Sequence, residues 1–176
     1  MRIVLLPPLY LPPEGYFGAM ANADLAVIDT SMRYDKRFKV VRRTQLDNEC
    51  KQRLTVPVTP GKSGSTYAET CRVSPHGRWW RVHRLTMETL YGPTPWFDLY
   101  KSDLFDIISE DAVGRLVADL DIDLILIIRR LKGITTPLST SLDPRYLTDN
   151  DVNIEDLRYH DFYKDSRSCL PTLFNS

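Results

Sequence analysis

Apolar residues fall in short clusters separated by proline, glycine and acidic residues, and the spacing inside each cluster points to its element. Ile3 to Leu6 is a continuous apolar run, the pattern of a buried strand. The PPLYLPP stretch from Pro7 to Pro13 must leave it as a rigid extended loop, because each proline fixes its own φ and biases its predecessor away from helix. A short helix over 15–23 puts Tyr16, Phe17 and Met20 toward a core, and Leu25 to Ile28 is a second strand. Strand, loop, helix and strand in this order form an opening βαβ unit.

The next section reads as β structure with loops. Leu54 to Val58 (LTVPV) alternates as a strand, with Pro57 placing it at an edge or a strand end. Gly61 to Ser65 is a loop, and Ala68 to Ser74 a strand after it. The second half is helical. Trp80, His83, Met87 and Leu90 mark one stripe, stopped by Pro93 and Pro95. Phe97, Tyr100, Leu104 and Ile107 or Ile108 mark the next, and Val113, Leu116, Val117 and Leu120 a third. Asp121 then reads as the cap of an apolar helix, Ile122 to Leu131, closed by Gly133 at a left-handed position. Ile134 to Leu138 returns as an extended piece. Leu142 to Asp165 is acidic and polar, the segment expected to be flexible, with Tyr159, Phe162 and Tyr163 available to dock on the body. The fold class expected is α/β: an N-terminal strand–helix–strand unit, a basic β-hairpin section and a helical second half. The domain expected spans residues 1–141, followed by an acidic, partly flexible C-terminal segment, 142–176.

Composition bounds the class of protein. The chain has 176 residues, 43% hydrophobic and 26% charged, which excludes a collagen, a coiled coil or general disorder. Apolar runs such as Leu124 to Ile128 are far below the ~20 residues of a membrane span, and Pro7 and Pro8 interrupt any secretion signal. Cys50, Cys71 and Cys169 lie far apart, with no paired spacing, as in a reducing cytoplasm. A cytoplasmic protein is the expectation.

Zero net charge conceals a division. Residues 31–91 carry 13 Lys+Arg against 5 Asp+Glu, whereas residues 92–176 carry 9 against 15. The basic section either attracts phosphate on a small molecule or nucleic acid, or is neutralised by the acidic section beside it.

Several stretches together resemble the WbqC-like family of bacterial proteins. PPLYLPPEGYF (Pro7 to Phe17) followed by ADLAVID (Ala23 to Asp29) is similar to the family's opening. Further matches keep the family's order: Tyr34-Asp-Lys36 with Arg42 and Arg43, then LTVPV, then Trp79 or Trp80 with His83. Tyr91 with Pro95-Trp-Phe97, Leu120-Asp121 to Ile134, and the closing LPTLFNS complete the series. The sequence departs from the pattern at Pro7, Leu9, Pro13, Thr30 and Val41, where several of the replaced residues are hydrogen-bonding ones. The resemblance implies an association with surface-polysaccharide and O-antigen biosynthesis, without naming a reaction.

The candidate chemistry has a functional and a structural reading at each residue. His83 is the candidate base, since imidazole titrates near neutrality, or else a hydrogen-bonded core residue. Tyr10 follows a strand of parallel type, where α/β folds bind ligands, or else plugs the core edge. Asp29 ends the second strand and either faces the same crevice as a catalytic carboxylate or starts a turn. Lys36, Arg42 and Arg43 hold a diphosphate or form a solvated strand face. Tyr91 joins the substrate-binding set on the resemblance. Trp79, Trp80 and Trp96 either stack a sugar or base or pack the core. Asp119, Asp121 and Asp123 read as helix-start carboxylates rather than metal ligands. His76, His83 and His160 are scattered, and GKSGS lacks the first half of a phosphate loop. No metal or cofactor is expected. The partner expected is a small-molecule substrate such as a nucleotide sugar or an acyl donor. A non-catalytic accessory or scaffold role with an eroded site is the alternative, and nucleic-acid binding ranks last because no recognisable motif supports it. The oligomeric state is left open.

Overall fold

The computed structural model describes residues 1–32, 42–46, 52–59, 66, 71–160, 163 and 167–175. Strand β1 (Arg2–Leu6), helix α1 (Glu14–Ala21) and strand β2 (Leu25–Ile28) form the opening unit, with β1 and β2 parallel and paired Ile3 to Leu25 through Leu6 to Ile28. Two small antiparallel sheets follow. Strand β3 (Arg43–Gln45) pairs with β4 (Arg53–Thr55), and β5 (Val58–Thr59) with β6 (Arg72–Val73). Then come helices α2 (Trp79–Tyr91), α3 (Phe97–Ile107) and α4 (Val117–Leu131), strands β7 (Leu138–Ser139) and β8 (Asn153–Asp156), and a terminal helix α5 (Leu170–Asn175). The main sheet is wholly parallel, in the order β7-β2-β1-β8. The chain therefore has the α/β organisation its patterning implies.

Side chains alternate across a strand, so the apolar runs of β1 and β2 serve both faces of the sheet. Val4, Leu6, Ala26 and Ile28 join the main core with Tyr16, Phe17 and Met20 of α1 and Leu124 and Ile128 of α4. Ile3, Leu5 and Val27 face the other way and are covered by Leu142, Tyr146, Val152 and Ile154. The acidic stretch after Leu142 thus supplies both the second cover layer and β8, which pairs with β1 in parallel.

Two local expectations are corrected. LTVPV is not one strand: β4 ends at Thr55 and β5 begins at Val58 in a different sheet, because Pro57 has no N–H to continue a ladder. Asp121 is not a cap. Gly114 (φ +83) turns the chain, Leu116 is the N-cap and the helix begins at Val117, so Asp121 lies a full turn inside α4. It shares the buried stripe of Val117, Ala118, Leu120, Leu124, Ile125 and Ile128. Val113 and Leu116 of the third stripe lie before this helix rather than in it. The GKSGS loop and Ala68 to Thr70 lie outside the described residues.

Candidate functional site

The site begins where β1 ends. The Pro7–Pro13 loop runs from the carboxyl end of a central parallel strand into α1, and bonds to its carbonyls from elsewhere in the chain hold it. Tyr16 donates its hydroxyl to Pro7 (3.0 Å), Thr44 donates to Leu11 (3.0 Å), and the Cys169 N–H donates to Pro12 (2.9 Å). Leu11 is held at φ +49, a left-handed conformation that costs a non-glycine residue about 1–2 kcal/mol. Next to it, Tyr10 points inward and is only 1% exposed.

Helix α2 supplies the partners. Gly77 (φ +72) and Arg78 (φ +45) turn the chain sharply before its first turn. One helical turn then separates Trp79 from His83, so both reach the same side. The Tyr10 hydroxyl lies 2.8 Å from His83 Nδ1 within the buried interior. Trp79 packs edge-on against both rings, with centroids 5.0 Å from His83 and 6.5 Å from Tyr10. Trp80, the partner suggested by helical spacing, packs edge-on against Trp79 at 6.1 Å instead. His83 is 3% exposed, and burial pushes its imidazole down to about 4, against a smaller upward pull from a backbone hydrogen bond with Thr55. A neutral ring that donates to the Thr55 carbonyl has Nδ1 free to accept from Tyr10, which fixes the proton order: tyrosine O–H to imidazole, imidazole N–H to backbone. Burial, with the nearby Asp121, holds the Tyr10 phenol well above its usual range. The pair is neutral on both sides.

Asp121 completes the interior group. It is 0% exposed, and neither carboxyl oxygen has a hydrogen-bond partner among the described residues. Burial raises its carboxyl well above the usual carboxylate range, which favours the protonated, neutral form. If ionised, its charge would add to the upward shifts that burial gives Tyr10, Tyr16 and Cys71. Cys71, buried and free, is pushed up to about 11 by burial and is not a reactive thiolate. The sequence reading missed Asp121 because it placed the helix start too late. A helical wheel begun at Val117 puts it on the apolar stripe.

Asp29 stands apart from this group, at the carboxyl end of β2. Its carboxylate accepts from the Ser31 N–H (2.8 Å), the Ser31 hydroxyl (2.5 Å) and Arg158 Nη1 (2.6 Å). Burial raises this carboxyl, but the hydrogen bonds from Ser31 and Arg158 outweigh it and hold Asp29 below the usual range. Arg158 in turn grips Asp156 through Nε (2.9 Å) and Nη2 (2.6 Å). The charged group therefore ties the carboxyl ends of β2 and β8 across β1. Neither Arg158 nor Asp156 was legible as a site residue.

The remaining sequence-predicted residues divide. Arg42 and Arg43 border β3 and β4 and are half-buried. Arg42 Nη1 makes a long bond to the Val56 carbonyl (3.4 Å), and Arg43 Nε one to the Thr55 hydroxyl (3.3 Å). Tyr91 lies in the core, donating its hydroxyl to the Leu46 carbonyl (3.0 Å) with its ring 5.1 Å from Phe174. Trp96 is partly exposed and stacks on Tyr100. Lys36 lies outside the described residues. Among the described residues no group of three His, Cys, Asp or Glu is placed to hold a metal ion, and no helix is long and apolar enough to cross a membrane.

Comparison with protein-family models gives one finding: residues 7–159 match the WbqC-like protein family. No curated protein and no solved structure matches the chain. The match covers most of the sequence, and the chain belongs to the WbqC-like protein family.

Proposed function

We propose that this chain is a cytoplasmic protein of bacterial surface-glycan biosynthesis that transfers a group onto a nucleotide-linked amino sugar. Family membership supports a role in bacterial surface-polysaccharide processes. The observation that carries the finer reading is the buried Tyr10–His83 hydrogen bond directly after the carboxyl end of β1. Ligands of parallel α/β sheets bind at this end. In this reading the accepting group of the sugar gives its proton to the Tyr10 oxygen while the Tyr10 proton passes to His83 Nδ1. The imidazolium so formed keeps its other N–H on the Thr55 carbonyl. A base held near 4 is unprotonated throughout the neutral range but weak, so in this reading it takes the proton only in concert with attack on the donor. Arg42, Arg43 and Lys36 would hold the diphosphate, since most guanidinium donors of the two arginines make no bond among the described residues. Asp29, with its carboxylate held by Ser31 and Arg158, ties the carboxyl ends of β2 and β8 together in this reading rather than acting as a base.

One observation favours a second reading, a non-catalytic accessory protein: His83 is enclosed and both its ring nitrogens are engaged. A thermal-shift panel of nucleotide sugars, acyl donors and a short oligonucleotide separates the two. A ligand bound only by the folded state adds about 2.7 kcal/mol at a hundredfold excess over its Kd. A shift with a nucleotide sugar that disappears in Arg42→Ala/Arg43→Ala supports the transferase. No shift with any small molecule supports the accessory role, and a salt-sensitive shift with the oligonucleotide alone returns the basic section to nucleic acid.

A further inference from the structure

Helix α1 serves two sides of the molecule. Tyr16 and Met20 enter the main core, whereas Glu14, Phe17, Gly18 and Ala21 are spaced i, i+3, i+4 and i+7 and share another face. That face lines a cleft of about 510 Å³ whose other walls are Tyr100 of α3, the end of α4 and the terminal helix α5. The volume falls within the roughly 300–1,000 Å³ of small-molecule sites. No residue of the Tyr10–His83 or Asp29–Arg158 groups lines it.

The cleft has room because α1 carries little bulk there. A glycine inside a helix is less stable than an alanine. Gly18 has no positive φ, and a Cβ built on it would meet nothing within 4 Å, so neither backbone conformation nor close packing asks for glycine. The polar lining is one charge pair. Lys132, the C-cap of α4, keeps a side chain only 12% exposed and donates to both carboxyl oxygens of Glu14 (3.0 and 2.9 Å). The pair cancels its own charge, so an anion or a cation finds no net counter-charge. A carboxylate has about four lone-pair sites and an ammonium three donors. The bonds between the two therefore leave acceptor sites on Glu14, which is half exposed, and a donor on Lys132. The apolar lining includes Leu131, Ile134 and the ring of Tyr100, on which the partly exposed Trp96 stacks at 6.2 Å.

We infer that this cleft binds a neutral saccharide, at a site separate from the Tyr10–His83 pair. A pyranose has an apolar face of C–H groups and a rim of hydroxyls, each of them both donor and acceptor. The apolar face packs on Tyr100, Leu131 and Ile134, while one rim hydroxyl donates to Glu14 and a neighbouring one accepts from Lys132. A fatty chain in the same place would strip water from the charge pair and return no hydrogen bond. A phosphate would meet the Glu14 carboxylate. The inference does not depend on the nucleotide-sugar reading, because it concerns other residues and either can fail alone.

The test is a backbone-amide resonance titration of the intact chain with a panel of neutral methyl pyranosides in the gluco, galacto, manno and N-acetylglucosamine forms. Inorganic phosphate and octanoate are the comparison probes. At least one pyranoside should shift the Gly18, Ala21 and Lys132 amides saturably. Gly18→Leu, which projects into open space and should fold, should abolish those shifts, and Gly18→Ala should keep most of the binding. Lys132→Met should weaken binding roughly tenfold. Nucleotide-sugar binding that is lost in Arg42→Ala/Arg43→Ala should be unchanged in Gly18→Leu; its loss there would merge the two sites and overturn the separation. No pyranoside shift at these amides, or shifts that survive Gly18→Leu, overturns the inference. Shifts there with octanoate or phosphate alone overturn it as well and assign the cleft to an acyl chain or an anion.

Discussion

Two groups of side chains lie at the carboxyl end of the parallel sheet, and they solve the problem of buried polarity in opposite ways. Around Tyr10, His83 and Asp121 the chain has excluded water almost completely, and every group is held in its neutral form. Around Asp29, Arg158 and Asp156 the side chains keep between 15% and 48% of their exposure and are held as ions by short hydrogen bonds. Desolvation decides the first case and pairing the second. The difference teaches which group can do chemistry. An ion pair with its lone pairs already filled positions the chain, whereas a neutral hydrogen-bonded pair can move a proton without first breaking a charge pair.

The comparison is broken most sharply by removing the imidazole. His83→Ala should lower turnover of a nucleotide-sugar substrate by about 10²–10⁴-fold while the far-ultraviolet circular dichroism stays native. A variant that is unfolded instead would place His83 among the residues that only hold the core. The pH dependence of stability sharpens the contrast next. The folded state holds His83 near 4 while the unfolded chain protonates near 6.5, so acid favours unfolding over that window. About 3 kcal/mol should be lost as pH falls from 7 to 4, and His83→Gln should flatten most of that slope in urea titrations.

Asp121 has the opposite sign. Its folded carboxyl is raised, the unfolded one ionises above about 4, and so it costs stability as pH rises. Asp121→Leu should stabilise the protein by about 1–3 kcal/mol at pH 7 and by less at pH 4, read from the same titrations. The smallest effect belongs to the charged group. Asp29→Asn should cost about 1 kcal/mol, and the loss should shrink below pH 4, where the lowered Asp29 carboxyl itself protonates.

Much of the fold could be read from patterning, because the elements that matter are strongly apolar. Tyr16, Phe17 and Met20 on one helical face, and Leu25 to Ile28 as a strand, appear as expected. Strand β8 was not legible because its alternation, Val152 and Ile154 against Asn153 and Glu155, is only two apolar residues long and sits inside an acidic, polar segment. It is a strand because β1 offers it an open parallel edge and Ile154 packs beneath the sheet. Tyr10 and His83 were each legible as candidates, but their contact, 73 residues apart in the chain, was not. Asp121 was hidden by a misplaced helix start: burial, not capping, governs an aspartate a turn inside a helix.

The central claim is that Tyr10 and His83 form a neutral, functional pair. The most direct measurement is a nitrogen-15 resonance titration of the His83 ring, with and without a saturating nucleotide-linked amino sugar. The account predicts a neutral ring protonated on Nε2, a midpoint near 4, and shifts in the ring resonances on adding ligand. A ring that titrates near 6.5 and does not respond to the ligand would contradict it.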